Sequence, residues 1–180
     1  MKTRIFIIGL ISICCTVFLS CSDENGNDFE TEQSQIADND IRLDEELILQ
    51  LKTKAVDNLI IESNSFVLDA YLWRDFQRVS PPNGKPMISI NWLIDINSVR
   101  VPDNINLVKQ YVIYQDSIWI SDYENEMAPN QLEYKIEKIS RNGPKWGPKI
   151  YVDVISQIYD SNTDKTHYIA LKNVFIERTD

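Results

Sequence analysis

Three cysteines, one histidine and five glycines are all that 180 residues supply of the side chains most used for thiol chemistry, metal binding and tight turns. The cysteines are Cys14, Cys15 and Cys21, so no residue after position 21 offers a thiol for a disulfide, a nucleophile or a metal thiolate. A lone histidine, His167, cannot build the usual zinc ligand sets. Beyond position 40 the glycines are Gly84, Gly143 and Gly147. They form no phosphate-cradling loop and no dinucleotide fingerprint, and the chain holds no G-x-S-x-G elbow. Positive charge is also scarce. Eighteen Lys and Arg face 27 Asp and Glu, a net charge of −9 that repels nucleic acid. The N-terminal apolar run, Ile5 to Leu19, has 15 residues, against about 20 for a bilayer-spanning helix.

Lys2 and Arg4 followed by that run have the layout of a signal peptide over residues 1–20. It ends in Phe18-Leu19-Ser20-Cys21, which resembles the lipobox of bacterial lipoproteins, with Phe18 where leucine is usual. The resemblance implies cleavage before Cys21 and lipidation of Cys21, making the membrane a partner through that lipid. A single acyl chain binds a bilayer marginally, whereas two or more anchor it stably. Loss of Lys2 and Arg4 takes the basic count from 18 to 16 against 27 acids. Much of that negative charge (Asp23, Glu24, Asp28, Glu30, Glu32, Asp38, Asp40) lies in residues 21–40, where apolar side chains are few. Such a stretch reads as a disordered tether that spans roughly 25 Å. Ser22-Asp23-Glu24 resembles the surface-export signal of Bacteroidetes lipoproteins, which implies the outer face of the outer membrane; the alternative is a periplasm-facing protein.

Residues 41–58 are ambiguous: Asp44 with Glu45 and Glu46 suits the start of a short helix, while Leu47, Leu49 and Leu51 alternate as in a strand. From position 59 to 180 the period-two signal dominates. Strands are expected at 59–62, 66–76, 87–96, 106–115, 118–121, 131–139, 149–159 and 166–174, with an edge at 175–178 and Ser63-Asn64-Ser65 as a turn. In the third of these, Ile88, Ile90, Trp92, Ile94 and Ile96 form one apolar face and the alternate positions are mixed. Seven to eight short strands in about 120 residues point to an all-β chain with a single antiparallel, immunoglobulin-like β-sandwich; a lipocalin-like barrel is the alternative.

Chemistry is harder to find. Asp69, Asp75, Asp95 and Asp153 lie on expected strands, and a glycosidase would need two such carboxyls about 5–9.5 Å apart. Asp122, Glu124 and Glu126, and likewise Asp160, Asn162 and Asp164, alternate as at the start of a calcium loop, without its closing glutamate and mid-loop glycine. The expectation is therefore no metal, no cofactor and no catalytic residue. Trp146, in a loop stiffened by glycine and proline, forms with Tyr151 a candidate ligand platform; the alternative is that its indole caps one end of the sandwich. Arg74 and Asp75 form a candidate structural ion pair. The stretches Trp73-Arg74-Asp75-Phe76 with Ser80 to Pro86, and Gly143 to Pro148 with Val152-Asp153-Val154, are similar to those of small bacterial secreted and lipoprotein β-sandwich proteins. That resemblance implies an immunoglobulin-like fold and no particular activity. The expected function is a lipid-anchored, non-enzymatic binding or accessory module of the cell envelope, with an envelope protein or a glycan as partner and no nucleic acid. Glycan binding by loop aromatics is the alternative, and a carboxylate-dependent hydrolase is the third reading.

Overall fold

A computed structural model describes residues 39–124 and 132–180. The signal peptide, Cys21, residues 21–38 of the tether and Glu126 lie outside the described residues.

The tether's last two residues already belong to a strand, β1 (Asn39–Leu43), which pairs with a later strand, Asn39 and Asp40 opposite Ser121 and Ile120. Asp44 then starts α1 (Glu45–Lys54) by accepting the Leu47 N–H at 2.9 Å. Glu45 and Glu46 in the first turn and Lys52 and Lys54 in the last complement the helix dipole.

Eight strands follow: β2 (Leu59–Ile61), β3 (Asn64–Asp75), β4 (Met87–Asp95), β5 (Ile105–Tyr114), β6 (Ser117–Asp122), β7 (Lys135–Gly143), β8 (Tyr151–Asp160) and β9 (Lys165–Thr179). Asn64, expected in a turn, is buried and in β3; the β2–β3 turn is Glu62-Ser63, with Glu62 at φ 53°. The sheet runs β1-β6-β5-β8-β9-β3-β4-β7, with β2 paired to β3. Every pairing is antiparallel except β3 with β9, which is parallel. The all-β expectation therefore holds for the class, with one parallel junction added, and the ambiguous segment 41–58 holds the short helix.

That junction shapes the molecule. The first part of β9 pairs with β8, and Ile176 to Thr179 run beside Leu72 to Asp75 of β3. Between them Asn173 sits at φ 58° beside a register shift opposite Val152 and Val154. A bulge of this kind bends its strand and increases local twist. The sheet curls on itself, and one core joins its halves: Phe66, Leu68, Leu72, Met87 and Leu93 meet Leu107, Val112, Trp119, Val154, Ile158 and Ile169. Each such side chain is worth about 1.5–3 kcal/mol when fully buried. At the far side of the curl, the Glu124 N–H donates to the Ile139 carbonyl at 2.8 Å and links the end of β6 to β7.

A second core lies on the outer face of β5, β6 and β8, where Ile48 and Leu51 of α1 pack on Tyr111, Ile113, Ile118, Ile120, Ile155 and Ala170. The outer face of the β3-β4-β7 half has no helix over it among the described residues.

Candidate functional site

In β4 the buried residues are Met87, Ser89, Asn91, Leu93 and Asp95. The apolar set Ile88, Ile90, Trp92 and Ile94 looks outward, only partly covered, and Ile96 is exposed. The mixed face is thus the inner one, because its polar members have partners there. Asn91 Nδ2 donates to Ser89 Oγ at 3.0 Å and to Gln110 Oε1 at 2.7 Å, and Gln110 Nε2 donates to Ser121 Oγ at 3.0 Å. Asn91 Oδ1 has no partner.

Alternation carries the same outward face onto the neighbouring strands. In β3, Phe66, Leu68 and Leu72 point inward, so Val67, Asp69, Tyr71 and Trp73 point outward. They stand opposite Ile94, Trp92, Ile90 and Ile88, and β7 continues the rows with Lys135, Glu137 and Ile139. Tyr71 and Trp73 stack, with ring centroids 5.3 Å apart and planes at 27°. The Trp92 ring carries the Lys135 ammonium 4.5 Å from its centroid, and its indole N–H donates to Glu137. On β9, Ile176 is buried and Glu177 lies opposite Trp73, so Phe175 and Glu177 look outward too. Phe175 packs against Tyr151 with centroids 5.2 Å apart. The result is a face of isoleucines and aromatics with acidic groups among them.

Sequence reading did not single out Tyr71, Trp73, Trp92 or Phe175 as a site. Their signal was spacing, Tyr71 and Trp73 two apart in the phase opposite to Phe66, Leu68 and Leu72, but the phase alone does not say which side is inside.

The expected Arg74–Asp75 ion pair does not form. Adjacent strand residues point to opposite faces, and these two part company. Arg74 is 1% exposed and donates to four backbone carbonyls: Lys85 at 3.1 Å, Lys145 at 3.0 Å, Gly147 at 2.8 Å and Asn83. Burial pulls its pKa below the usual arginine value. Asp75 instead meets Lys85 Nζ at 2.7 Å and caps the Gln77 N–H, contacts that hold its carboxyl below the usual range. Arg74 therefore clamps together the two stretches that stand out in the sequence, 77–86 and 143–148.

Trp146 and Tyr151 have separate ring partners. Trp146 is half-buried against the main core with Tyr114, centroids 5.8 Å apart, whereas Tyr151 is exposed beside Phe175. The loop indole thus belongs to packing, and Tyr151 belongs to the outer sheet face.

The other candidates have structural partners as well. Asp95 is buried; desolvation pushes its carboxyl up, but hydrogen bonds from Asn64 and from the Val99, Asn97 and Ser65 N–H groups outweigh that and leave it below the usual value. Asp160 accepts from Thr163, Asn104 and the Asn162 N–H, which lowers its pKa, and the Asp164 carboxylate accepts from the Tyr159 hydroxyl. Asp153 pairs with Lys52 at 2.9 Å, Asp122 with Lys109 and Glu124 with Arg141. Burial raises the Tyr111 phenol to about 12. Among the described residues, no group of three or more His, Asp or Glu side chains is arranged to hold a metal ion. His167 lies half-buried beside a shallow depression of about 520 Å³ lined also by Lys54, Val56, Leu59, Thr166 and Tyr168.

Placed beside known proteins, the chain matches no family model, no curated protein and no solved structure.

Proposed function

We propose that this chain is a lipid-anchored protein of the outer membrane, exposed at the cell surface, whose β-domain is a non-enzymatic binding module working through the outer face of β3, β4 and β7. The observation that carries the reading is the asymmetry of the curled sheet. One outer face is covered by α1, while the other presents Tyr71, Trp73, Ile88, Ile90, Trp92 and Ile94 without a cover among the described residues. Contiguous apolar faces rimmed by polar groups mark interaction sites, and tyrosine and tryptophan are enriched where binding energy concentrates. The carboxylates Asp75, Asp95, Asp153 and Asp160 each hold a loop, hairpin or helix, which favours binding over hydrolysis. The same reading takes the two halves of the curl as the layers of an immunoglobulin-like sandwich, an assignment supported by the core between them.

The test is site-specific photo-crosslinking in intact cells. Benzoylphenylalanine in place of Tyr71 is expected to give discrete high-mass adducts, and the same group in place of Glu45, on exposed α1, none. Equal labelling from both positions, or none from position 71, overturns the proposal. For the anchor, Cys21→Ser should abolish palmitate incorporation, and continued labelling would overturn lipidation at that residue.

A further inference from the structure

We infer that the occupant of this face is a basic protein surface, one with an apolar centre and Lys or Arg side chains set to meet Asp69 and Glu177; the inference rests on the binding-face reading above. The chain shows how this face is completed elsewhere. Around Trp92, an acid (Glu137) takes the indole N–H and a cation (Lys135) sits on the ring. The stacked Tyr71–Trp73 pair has the acids without the cation. Glu177 stands opposite Trp73, and Asp69 lies two residues before Tyr71 on the same outward side. Among the described residues neither carboxylate meets a cation; Asp69 accepts only from the Ala70 N–H. The Tyr71 hydroxyl and the Trp73 indole N–H have no hydrogen-bond partner within the described chain either, and both remain available to an incoming surface.

The other occupants fit less well. A second copy docked face to face would bring together two chains that each carry a net charge of −9, and like-charged surfaces disfavour association. An anionic lipid surface meets the same repulsion. A sugar needs an open ring face to lie on. At 5.3 Å and 27°, Tyr71 and Trp73 turn one face each toward the other and stand as a rib rather than a platform.

The experiment uses the full-length lipidated protein in nanodiscs of zwitterionic lipid, with binding read by anisotropy of labelled probes. The probes are a decapeptide alternating Arg and Val, the same peptide with Glu for Arg, and maltohexaose and chitohexaose. Preferential binding of the Arg peptide is expected. Asp69→Asn with Glu177→Gln should weaken it about two- to thirtyfold, as two exposed pairs are worth about 0.2–1 kcal/mol each. Tyr71→Ala with Trp73→Ala should abolish it, and Glu45→Gln with Glu46→Gln, the same charge change on α1, should leave it unaltered. The Asn and Gln variants keep shape, so the outcome can be read even if the alanine variant unfolds. Equal binding of the Arg and Glu peptides, preference for either oligosaccharide, or equal weakening by the α1 variant overturns the inference. If Tyr71 crosslinks in cells while the Arg peptide shows no preference, the basic-partner inference falls and the binding face stands. If Tyr71 gives no crosslink, the binding face itself falls.

Discussion

Arg74 offers the sharpest mutational test, because the structure states what its removal leaves behind. The side chain is 1% exposed, and its partners are the carbonyls of Asn83, Lys85, Lys145 and Gly147, with no carboxylate among them. Arg74→Met keeps much of the stem volume and removes every donor. Each buried carbonyl left unpaired costs about 1–3 kcal/mol, but the two loops are near enough to solvent for some of the four to find water. With the rest left unpaired, the net destabilisation should be about 3–5 kcal/mol. Arg74→Lys keeps the charge, yet a compact ammonium cannot reach both loops as the planar fork does. It should recover less than half of that loss. Urea unfolding followed by tryptophan fluorescence measures both variants, and an unchanged slope with a lowered midpoint would mark a change in stability alone. A second signature is local: with Gly147 and Lys145 released, trypsin should cut after Lys145 in Arg74→Met under conditions where the parent protein resists. A cost under about 1 kcal/mol for Arg74→Met, or an Arg74→Lys variant as stable as the parent, would refute the clamp.

Asp95→Asn should cost about 2–3 kcal/mol at neutral pH, because Oδ1 accepts from the Asn97 and Val99 N–H groups and Oδ2 from Asn64 and Ser65, so an amide NH₂ must face two donors. The folded carboxyl lies below its ordinary value of 3.8. Its stabilisation is therefore complete above that pH and lost as pH falls through the folded pKa. The gap between parent and variant, measured by thermal melts across pH, should be flat near neutrality and close in acid; a gap that widens in acid contradicts the sign. Gly143→Ala would place a Cβ 2.6 Å from Cη2 of the fully buried Trp119. Overpacking of this kind costs about 1–3 kcal/mol, and an unaltered urea midpoint would show that the contact has room to give.

Local features were legible in the sequence because their causes are local. Asp44 with Glu45 and Glu46 begins α1 because a side-chain oxygen three residues from an N–H needs nothing from the rest of the chain. Period-two runs located the long strands for the same reason. The strand at 131–139 was shifted, because Leu132 and Tyr134 lie in a turn and pairing with β4 starts at Lys135. β1 straddles the expected tether (21–40) and the ambiguous segment 41–58, since five mostly polar residues carry no pattern until β6 supplies a ladder. Arg74 was misread from adjacency. Its partners in the 143–148 stretch lie 71 and 73 residues away, and no nearest-neighbour rule reaches that far. Trp146 drew notice for its stiff loop, although a tryptophan beside glycine and proline closes a core as readily as it opens a platform.

The inversion of β4 is the least legible feature. Strand alternation separates two faces, and burial of the more apolar one would by itself gain more. Here the inner face holds Ser89 and Asn91 and the outer one Ile88, Ile90, Trp92 and Ile94. The inner choice is held by the Asn91–Gln110–Ser121 chain across the core, which leaves Asn91 Oδ1 unpaired. Asn91→Leu alone strands the Gln110 carbonyl and should cost about 1–3 kcal/mol. Asn91→Leu with Gln110→Leu removes both amides, and a polar pair replaced by packed apolar groups is often neutral or stabilising, although Ser89 Oγ and Ser121 Oγ each lose a donor. The double variant should therefore be at least as stable as Asn91→Leu, with a favourable coupling between the two changes in a double-mutant cycle. A double variant that also matches or exceeds the parent would mean that the polar layer costs stability while holding β4 with its isoleucines and Trp92 outward. A double variant less stable than either single change would mean instead that the layer is a net source of stability, and the outward face would then need no functional explanation.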